Sequence, residues 1–247
     1  MKTLMSKLTG LVLSCAVLLP TAFASESAVA DDHSSAVSFN VGYMSEYWYR
    51  GAYQAESSMS FGVDYEAGMM YLGMWGADVS DAAGSGAGTE IDLYAGINFE
   101  FMVPMYVGVT GYYYTDNFDR DYEEINIGMD FGLFAIDAVP YGSYKGDADN
   151  ASSDYGHFMI TVPLGMVDYS YMTFTGGSLH YAAHEISHST TIGGVDFTAT
   201  VGANNASLGT AATIFNITPN AHGSGIADAA INTFINKIGG DIVTTIL

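Results

Sequence analysis

The stretch EIDLYAGINFE, residues 90–100, alternates between apolar and polar side chains. From Ile91 to Phe99 the odd positions are apolar, and Asp92, Asn98 and Glu100 are among the residues between or beside them. An alternation with a period of two places apolar and polar side chains on opposite faces of a β-strand. The same pattern returns in residues 37–43, 59–66, 124–131 and 195–201. The sequence therefore predicts an all-β protein.

The connections between these segments alternate in length. Tight turns are predicted near residues 67–68, 103–104, 132, 163–165 and 193–194. Longer polar loops are predicted at residues 51–57, 80–89, 115–121, 146–153 and 174–182. The strands between them are expected at residues 36–50, 58–66, 69–79, 90–101, 105–114, 122–131, 133–144, 154–163, 166–174, 183–192, 194–203 and 208–217. We therefore expect about twelve strands, within a range of about 10–14.

Composition excludes several classes of protein. The 247 residues include 27 Asp and Glu against 6 Lys and Arg. Nucleic-acid binding is excluded, because phosphate contacts require clustered Lys and Arg. The aromatic content of 13% argues against a disordered chain. The single Cys excludes an internal disulfide framework.

The N-terminus has the layout of a secretory signal peptide. Lys2 and Lys7 precede an apolar stretch that ends at an A-x-A site, residues 22–24. We expect cleavage after Ala24, with a second site after Ala30, and a periplasmic segment over residues 25–35. Cys15 suggests a lipoprotein as the alternative, but the apolar stretch continues well past it. After residue 30 no apolar run approaches the length of a membrane helix, so a helical membrane protein is not expected.

A transmembrane barrel and a soluble β-sandwich both alternate with a period of two. Three features favour the barrel. The strands are about 10 residues long, which suits a tilted membrane span, and short turns alternate with long loops. Aromatic residues on the apolar faces suit interfacial girdles: Tyr43, Tyr65, Tyr71, Trp75, Phe99, Tyr113, Phe131, Tyr169 and Tyr171. The sequence predicts an antiparallel transmembrane β-barrel over residues 36–217, with its N-terminus in the periplasm and a narrow passage.

The C-terminal residues 218–247 are atypical for such a barrel. Ile226, Ala230, Phe234 and Ile238 fall at helical spacing and predict a short amphipathic helix over residues 224–238. This tail is interpreted as a periplasmic appendage, or as a segment in which residues 241–247 close the barrel. A third interpretation of this tail is an altered reading frame.

Two blocks of sequence resemble a known family. Residues 45–51, SEYWYRG, are similar to an aromatic-rich first strand that ends in Arg-Gly, and residues 71–79 followed by 90–96 are similar to a second block. On these blocks the chain resembles the TorF family of porin-like proteins, closely over residues 36–115 and more loosely to about residue 204. The resemblance implies an outer-membrane barrel in a Gram-negative cell and brings no substrate, cofactor or catalytic residue with it. Residues beyond about 217 depart from it.

Two patterns resemble metal sites. Residues 184–188 read H-E-x-x-H, a zinc motif that requires a helix. These residues run into a β-prone segment, where residues four apart are separated by about 13 Å. The acidic segments 116–121 and 147–154 lack the spacing of a calcium loop. No catalytic, metal or cofactor site is predicted, and an enzyme is not expected.

The polar faces of the strands are rich in carboxylates. Seven are expected to face the lumen close to the short turns: Asp64, Glu66, Glu100, Asp130, Asp137, Asp168 and Asp196. Arg50 is the one cation expected in the wall, at the opposite end, paired with a carboxylate of the mouth such as Glu90 or Asp92. An acidic ring in a narrow pore favours cations. The alternative is that these carboxylates only hydrate the turns, and that Arg50 only anchors the first strand.

The expected function is passive diffusion of small solutes through a narrow porin of the outer membrane, with a preference for cations. The alternative is a non-conducting barrel that acts as an adhesin, a receptor or a structural protein through its acidic outer loops. Either protein contacts outer-membrane lipid and the barrel-assembly machinery.

Overall fold

A computed structural model describes residues 35–80, 86–145, 153–176, 181–192, 195–205 and 213–219, the last of these by its backbone. Within these residues the chain forms twelve β-strands. They are β1 (Ser35–Tyr49), β2 (Ala52–Ala67), β3 (Met70–Ser80), β4 (Ala87–Phe101), β5 (Val103–Tyr114), β6 (Tyr122–Asp130), β7 (Ala135–Tyr144), β8 (Ser153–Pro163), β9 (Asp168–Thr175), β10 (Ala182–Ile192), β11 (Val195–Asn204) and β12 (Thr213–Pro219).

The strands close into one barrel. Each strand pairs with its neighbours in the sequence, and β1 pairs with β12 to complete the ring. All the pairings are antiparallel, and β1 meets β12 at Tyr43 opposite Ile217 and Met44 opposite Asn216. The predicted fold, an antiparallel β-barrel of about twelve strands, is confirmed.

The two faces of the wall differ in polarity. Large apolar side chains are exposed on the outside: Val37, Phe39, Val41, Phe61, Leu72, Leu93, Ile97, Val109, Ile125 and Ile186. The alternate positions of the same strands point inward and are buried, and many of them are polar. A closed sheet has one inner and one outer face, so alternate residues of each strand point into the barrel and out of it.

The two ends of the barrel differ in their connections. At one end, the short-turn end, strands are joined by compact turns such as those at Gly68, Met102, Gly132 and Gly165, all with positive φ angles. At the opposite end, the long-loop end, the connections include residues 81–86, 115–121 and 145–152. The connection between β1 and β2 is the exception at the long-loop end, because it consists of Arg50 and Gly51 alone.

The predicted loop at residues 51–57 was wrong. β2 begins at Ala52, and its first residues pair with the end of β1, where Tyr47 lies opposite Ala55 and Glu46 opposite Glu56. The outer face of this extension carries polar side chains such as Glu56, which is exposed. Because this end of the strand has no apolar residues at alternate positions, its sequence predicts a loop.

The predicted position of two aromatic residues was also wrong. Tyr71 and Trp75 lie inside the barrel, 5% and 7% exposed, and do not belong to an outer girdle. Leu72 takes the outer face instead, at 51% exposed. Because apolar residues occupy both faces of β3, the period alone does not distinguish its inside from its outside.

The predicted signal peptide (1–24), most of the segment 25–35 and the tail 218–247 with its helix lie outside the described residues, apart from Ser35 and the end of β12. In the described part of the chain, no helix is long and apolar enough to cross a membrane.

Candidate functional site: the barrel interior

Some inward tyrosines reach over a glycine on the neighbouring strand and form a hydrogen bond with a carboxylate on the strand beyond it. Asp64, Gly73 and Tyr94 stand in one lateral row across β2, β3 and β4, and the Tyr94 hydroxyl donates to Asp64. Each residue of the row points inward, and glycine at the centre leaves room for the phenol ring. The row therefore fixes a negative charge against the wall.

The same arrangement occurs twice more. Tyr106, Gly128 and Asp137 form a row across β5, β6 and β7, and the Tyr106 hydroxyl donates to Oδ1 of Asp137 at 2.9 Å. Across β8, β7 and β6, the row consists of Tyr155, Gly142 and Glu124, with 2.7 Å between the Tyr155 hydroxyl and Oε1 of Glu124. We call these three sets the Tyr-Gly-carboxylate rows.

The central glycines have no room for a side chain. A Cβ on Gly128 would lie 1.9 Å from Cε1 of Tyr106, and one on Gly142 would lie 2.5 Å from the ring of Tyr155. Real Cβ atoms do not approach other atoms so closely. An alanine at either position therefore displaces the ring that holds the carboxylate.

The turn between β1 and β2 folds into the barrel. Arg50 and Gly51 both have positive φ angles, 48° and 80°, as required by the tight two-residue turns that match the twist of a hairpin. The Tyr181 hydroxyl donates to the carbonyl of Arg50 at 3.0 Å, and Nδ2 of Asn204 donates to the carbonyl of Gly51 at 2.6 Å. A Cβ on Gly51 would lie 2.4 Å from the Cβ of Ala183. The turn is thus held against the wall formed by β10 and β11.

Arg50 forms a two-pronged ion pair with Glu124 on β6. Its Nη1 lies 2.6 Å from Oε1 and its Nη2 lies 3.1 Å from Oε2. The side chains are only 12% and 1% exposed. A bidentate Arg–carboxylate pair is the strongest common form of this interaction, and burial removes most of the solvent screening.

Glu124 has further donors. The hydroxyls of Tyr112 and Tyr155 and the amide of Asn126 also donate to its oxygens, at 3.0, 2.7 and 2.9 Å. A buried carboxylate is tolerated when its charge is paired and its oxygens are hydrogen-bonded. Glu124 meets both conditions.

Aromatic rings surround this ion pair and form what we call the aromatic collar: Tyr49, Tyr112, Tyr122, Tyr144, Tyr155, Phe174 and Tyr181. The guanidinium carbon of Arg50 lies 4.7 Å from the centre of the Tyr49 ring and 5.9 Å from that of Phe174, within cation–π range. The turn, the ion pair and the collar together fill the interior near the long-loop end.

A second pair of carboxylates lies beside the collar. Glu90 and Asp92 stand two residues apart on β4 and are both 0% exposed. The Tyr47 hydroxyl donates to Oε2 of Glu90 at 3.1 Å. Oε1 of Glu90 and both carboxyl oxygens of Asp92 are buried without a hydrogen-bond partner.

The structure places the seven predicted lumen carboxylates within four residues of a short connection. Asp64 and Asp137 belong to the rows described above, and Asp168 is buried as the first residue of β9. Asp130 accepts from the backbone nitrogen of Gly132 at 2.7 Å, and Asp196 accepts from the Thr191 hydroxyl at 2.6 Å. Glu66 is half-buried, and Glu100 is exposed at the end of β4.

The expected partner of Arg50 was wrong. Arg50 does lie in the interior at the opposite end from these seven residues, but it pairs with Glu124 and not with Glu90 or Asp92. Glu124 occupies a polar position in an alternating segment, so its inward direction could be read from the sequence. Its contact with the turn between β1 and β2 could not be predicted from the sequence.

The two histidines of the H-E-x-x-H pattern lie on a strand. His184 and His188 point outward from β10, and both are exposed. Nδ1 of His184 lies 2.6 Å from the Tyr169 hydroxyl, and Nδ1 of His188 lies 2.5 Å from the carbonyl of Met166. The helical geometry on which the zinc motif depends is therefore not that of β10.

The chain was compared with protein families, with curated proteins and with solved structures. A family described as a bacterial protein of unknown function (Gcw_chp) matches residues 28–136. Among curated proteins no relative matches the chain.

Three of the solved structures that are similar to the chain are outer-membrane proteins. The KdgM porin in complex with disordered oligogalacturonate has a TM-score of 0.50 and 10% identity, over 74% of this chain and 99% of that one. An outer membrane channel from Pseudomonas putida F1 has a TM-score of 0.45 and 11% identity, over 74% and 93%. Outer membrane phospholipase A from Escherichia coli has a TM-score of 0.39 and 14% identity, over 74% and 92%. The likeness to the KdgM porin shows a porin-like β-barrel fold.

Proposed function

We propose that this protein is a narrow channel of the outer membrane for small solutes, that it prefers cations, and that the Arg50–Gly51 turn closes it at the long-loop end. The observation that carries the proposal is the charge of the inner wall. In the described residues the inward side chains include the seven carboxylates of the short-turn end together with Glu90, Asp92, Glu124 and Glu185. Arg50 is the one Lys or Arg among them.

The outer surface supports a membrane location. Soluble proteins rarely expose continuous apolar patches of more than a few hundred Å². Here the exposed apolar side chains follow the strands from Val37 on β1 through Leu93 on β4 to Ile186 on β10. A continuous apolar belt around a closed barrel is typical of outer-membrane proteins, and the KdgM porin shares the fold.

The acidic interior supports a preference for cations. Fixed negative charges along a narrow passage attract cations and repel anions. Glu124 is neutralised by Arg50, whereas the carboxylates of the short-turn end receive only neutral donors in the contacts described above. The wall therefore keeps a negative potential.

The filled collar supports a closed resting state. Arg50 and Glu124 are almost inaccessible to solvent, and the carbonyls of the turn are bound to Tyr181 and Asn204. A conducting state requires the turn to leave this position.

Conductance in planar bilayers tests the proposal. We expect the purified full chain to give small, infrequent currents, and the variant Arg50→Gln to give larger or more frequent currents, because the guanidinium no longer holds the turn to Glu124. The absence of current from both proteins would refute the channel.

The filled interior also favours a second candidate, a non-conducting barrel that acts through its acidic outer loops. The Arg50→Gln variant separates the two functions. A non-conducting barrel remains silent when the ion pair is removed, whereas a closed channel opens.

A further inference from the structure

Glu90 and Asp92 differ from the other inward carboxylates in their contacts. Asp64 and Asp137 each accept a tyrosine hydroxyl, and Glu124 accepts five donor contacts, two of them from Arg50. Asp92 is fully buried, and neither of its carboxyl oxygens receives a hydrogen bond from a hydroxyl, an amide or Arg50. Its neighbour is the carboxyl of Glu90, which carries the same charge. Such a group normally has a partner, because an unpaired buried charge is strongly unfavourable.

Within the described residues, no Lys or Arg is left to serve as that partner. Of the Lys and Arg residues in the described ranges, Arg120 and Lys145 lie in loops and only Arg50 is inside. Arg50 uses both terminal nitrogens on Glu124. Asp92 interacts electrostatically with Glu90, Glu124 and Arg50, so three carboxylates share one guanidinium. Arg50 can compensate the charge of only one carboxylate, and it is paired with Glu124.

We propose that Glu90 and Asp92 bind a divalent cation of the calcium type inside the barrel. Both are hard oxygen ligands, as Ca²⁺ prefers, and Oε1 of Glu90 with both oxygens of Asp92 provides three free ligand atoms. Ca²⁺ commonly adds water and neutral oxygens to carboxylate ligands, and tyrosine hydroxyls are nearby, since Tyr114 and Tyr112 lie opposite Glu90 and Asp92 in the register of β4 and β5.

This site is distinct from the proposed channel function. A cation held at Glu90 and Asp92 neutralises a buried charge whether or not ions pass through the barrel. Glu90 is the fourth residue of β4, so the site lies near the long-loop end. Binding and conduction are measured separately, and failure of one leaves the other standing.

Tb³⁺ luminescence tests the site, because Trp75 lies opposite Asp92 in the register of β3 and β4. In the detergent-solubilised full chain we expect saturable Tb³⁺ emission on tryptophan excitation, and its displacement by Ca²⁺. Trp75→Phe should abolish most of this emission and leave Ca²⁺ affinity unchanged. Trp48→Phe, which changes the other Trp of the chain, should have little effect.

Charge removal provides the second arm of the test. Glu90→Gln with Asp92→Asn should weaken Ca²⁺ affinity by roughly tenfold or more, because ligand charge sets the affinity of such sites. The matched control is Glu100→Gln with Asp130→Asn at the short-turn end, which should bind as the parent does. Heat-modifiable gel mobility verifies folding, and Asp92→Asn alone replaces the double variant if that variant does not fold. Absence of saturable binding, or binding unchanged by both Asp92→Asn and the double variant, would overturn the site.

Discussion

Arg50 is the residue that links the β1–β2 turn to the wall of the barrel. Its guanidinium satisfies Glu124, stacks near Tyr49 and holds the turn in place. Burying an ion pair gives little net stability, because desolvation opposes the attraction of the charges. Removing one partner is much worse than removing both, since it leaves an isolated buried charge.

The first prediction follows from this asymmetry. Arg50→Gln should lower the free energy of unfolding by about 3–5 kcal/mol, the usual cost of breaking a buried pair. Arg50→Gln with Glu124→Gln should recover much of the loss, because neither amide carries a charge. Unfolding of the detergent-bound protein in guanidinium measures both. If the double variant is less stable than Arg50→Gln, the two side chains do not act as a pair.

The alternation of apolar and polar positions along the strands predicts that Arg50 and the seven carboxylates point inward. This alternation does not predict which residue an inward side chain meets across a closed barrel. The contact of Arg50 with Glu124 depends on where β6 falls in the ring and on an inward turn of two residues. Similarly, the sequence predicts that Glu90 and Asp92 are carboxylates of the mouth, but only the structure shows that Oε1 of Glu90 and both oxygens of Asp92 receive no donor.

The elements that shape the interior are the β1–β2 turn and the Tyr-Gly-carboxylate rows. Each row needs three residues in lateral register on three strands, as with Asp64, Gly73 and Tyr94. A sequence shows the three residue types at inward positions but not their register. Register in turn depends on irregularities such as the shift between Val139 and Gly142.

The second prediction concerns the glycine of a row. Gly128→Ala should destabilise the barrel by about 1–3 kcal/mol, the range for overpacking, because its Cβ would lie 1.9 Å from the Tyr106 ring. Gly156→Ala is the control, since its nearest contact would be Oγ1 of Thr175 at 3.0 Å, and it should cost less. Urea titration followed by tryptophan fluorescence measures both. Equal stability of Gly128→Ala and the parent protein would contradict the close packing of the row.

The third prediction concerns the tethers of the turn. Tyr181→Phe with Asn204→Leu removes the two donors to the carbonyls of Arg50 and Gly51. The turn should leave the interior more often, and the fraction of time spent conducting in single-channel records should rise. Asn205→Ala is the control, because its side chain accepts from the nitrogen of Ala182 and not from the turn. An unchanged open fraction in the double variant would show that the tethers do not hold the barrel closed.

At the scale of the whole molecule, the barrel separates an apolar exterior from an acidic interior. The alternation of apolar and polar residues predicted both this separation and the number of strands. This was possible because the alternation is visible within each strand alone. The filled collar was not predictable, because it comes from side chains that meet only after closure. The sequence therefore predicts a narrow passage, and in the structure the ion pair and the aromatic collar lie inside the barrel at the long-loop end.

The fourth prediction concerns the carboxylates of the short-turn end. Neutralising Glu100, Asp168 and Asp196 together should reduce the proposed preference for cations and leave the conductance within about twofold, because the charge of the wall affects selectivity more than it affects the bore. The preference should also weaken at high salt, where the Debye length falls to about 3 Å at 1 M. Selectivity that is indifferent to both changes would mean that these carboxylates only hydrate the turns.

The reversal potential of the Arg50→Gln channel in a KCl gradient tests the central claim most directly. This variant removes the one Lys or Arg that the described part of the chain places inside the barrel. It also breaks the ion pair that, in our proposal, holds the turn in the closed position. We predict a measurable current whose reversal potential has the sign of a cation-selective pore. A reversal potential of the opposite sign, or no current at any applied voltage, would contradict an acidic channel closed by its first turn.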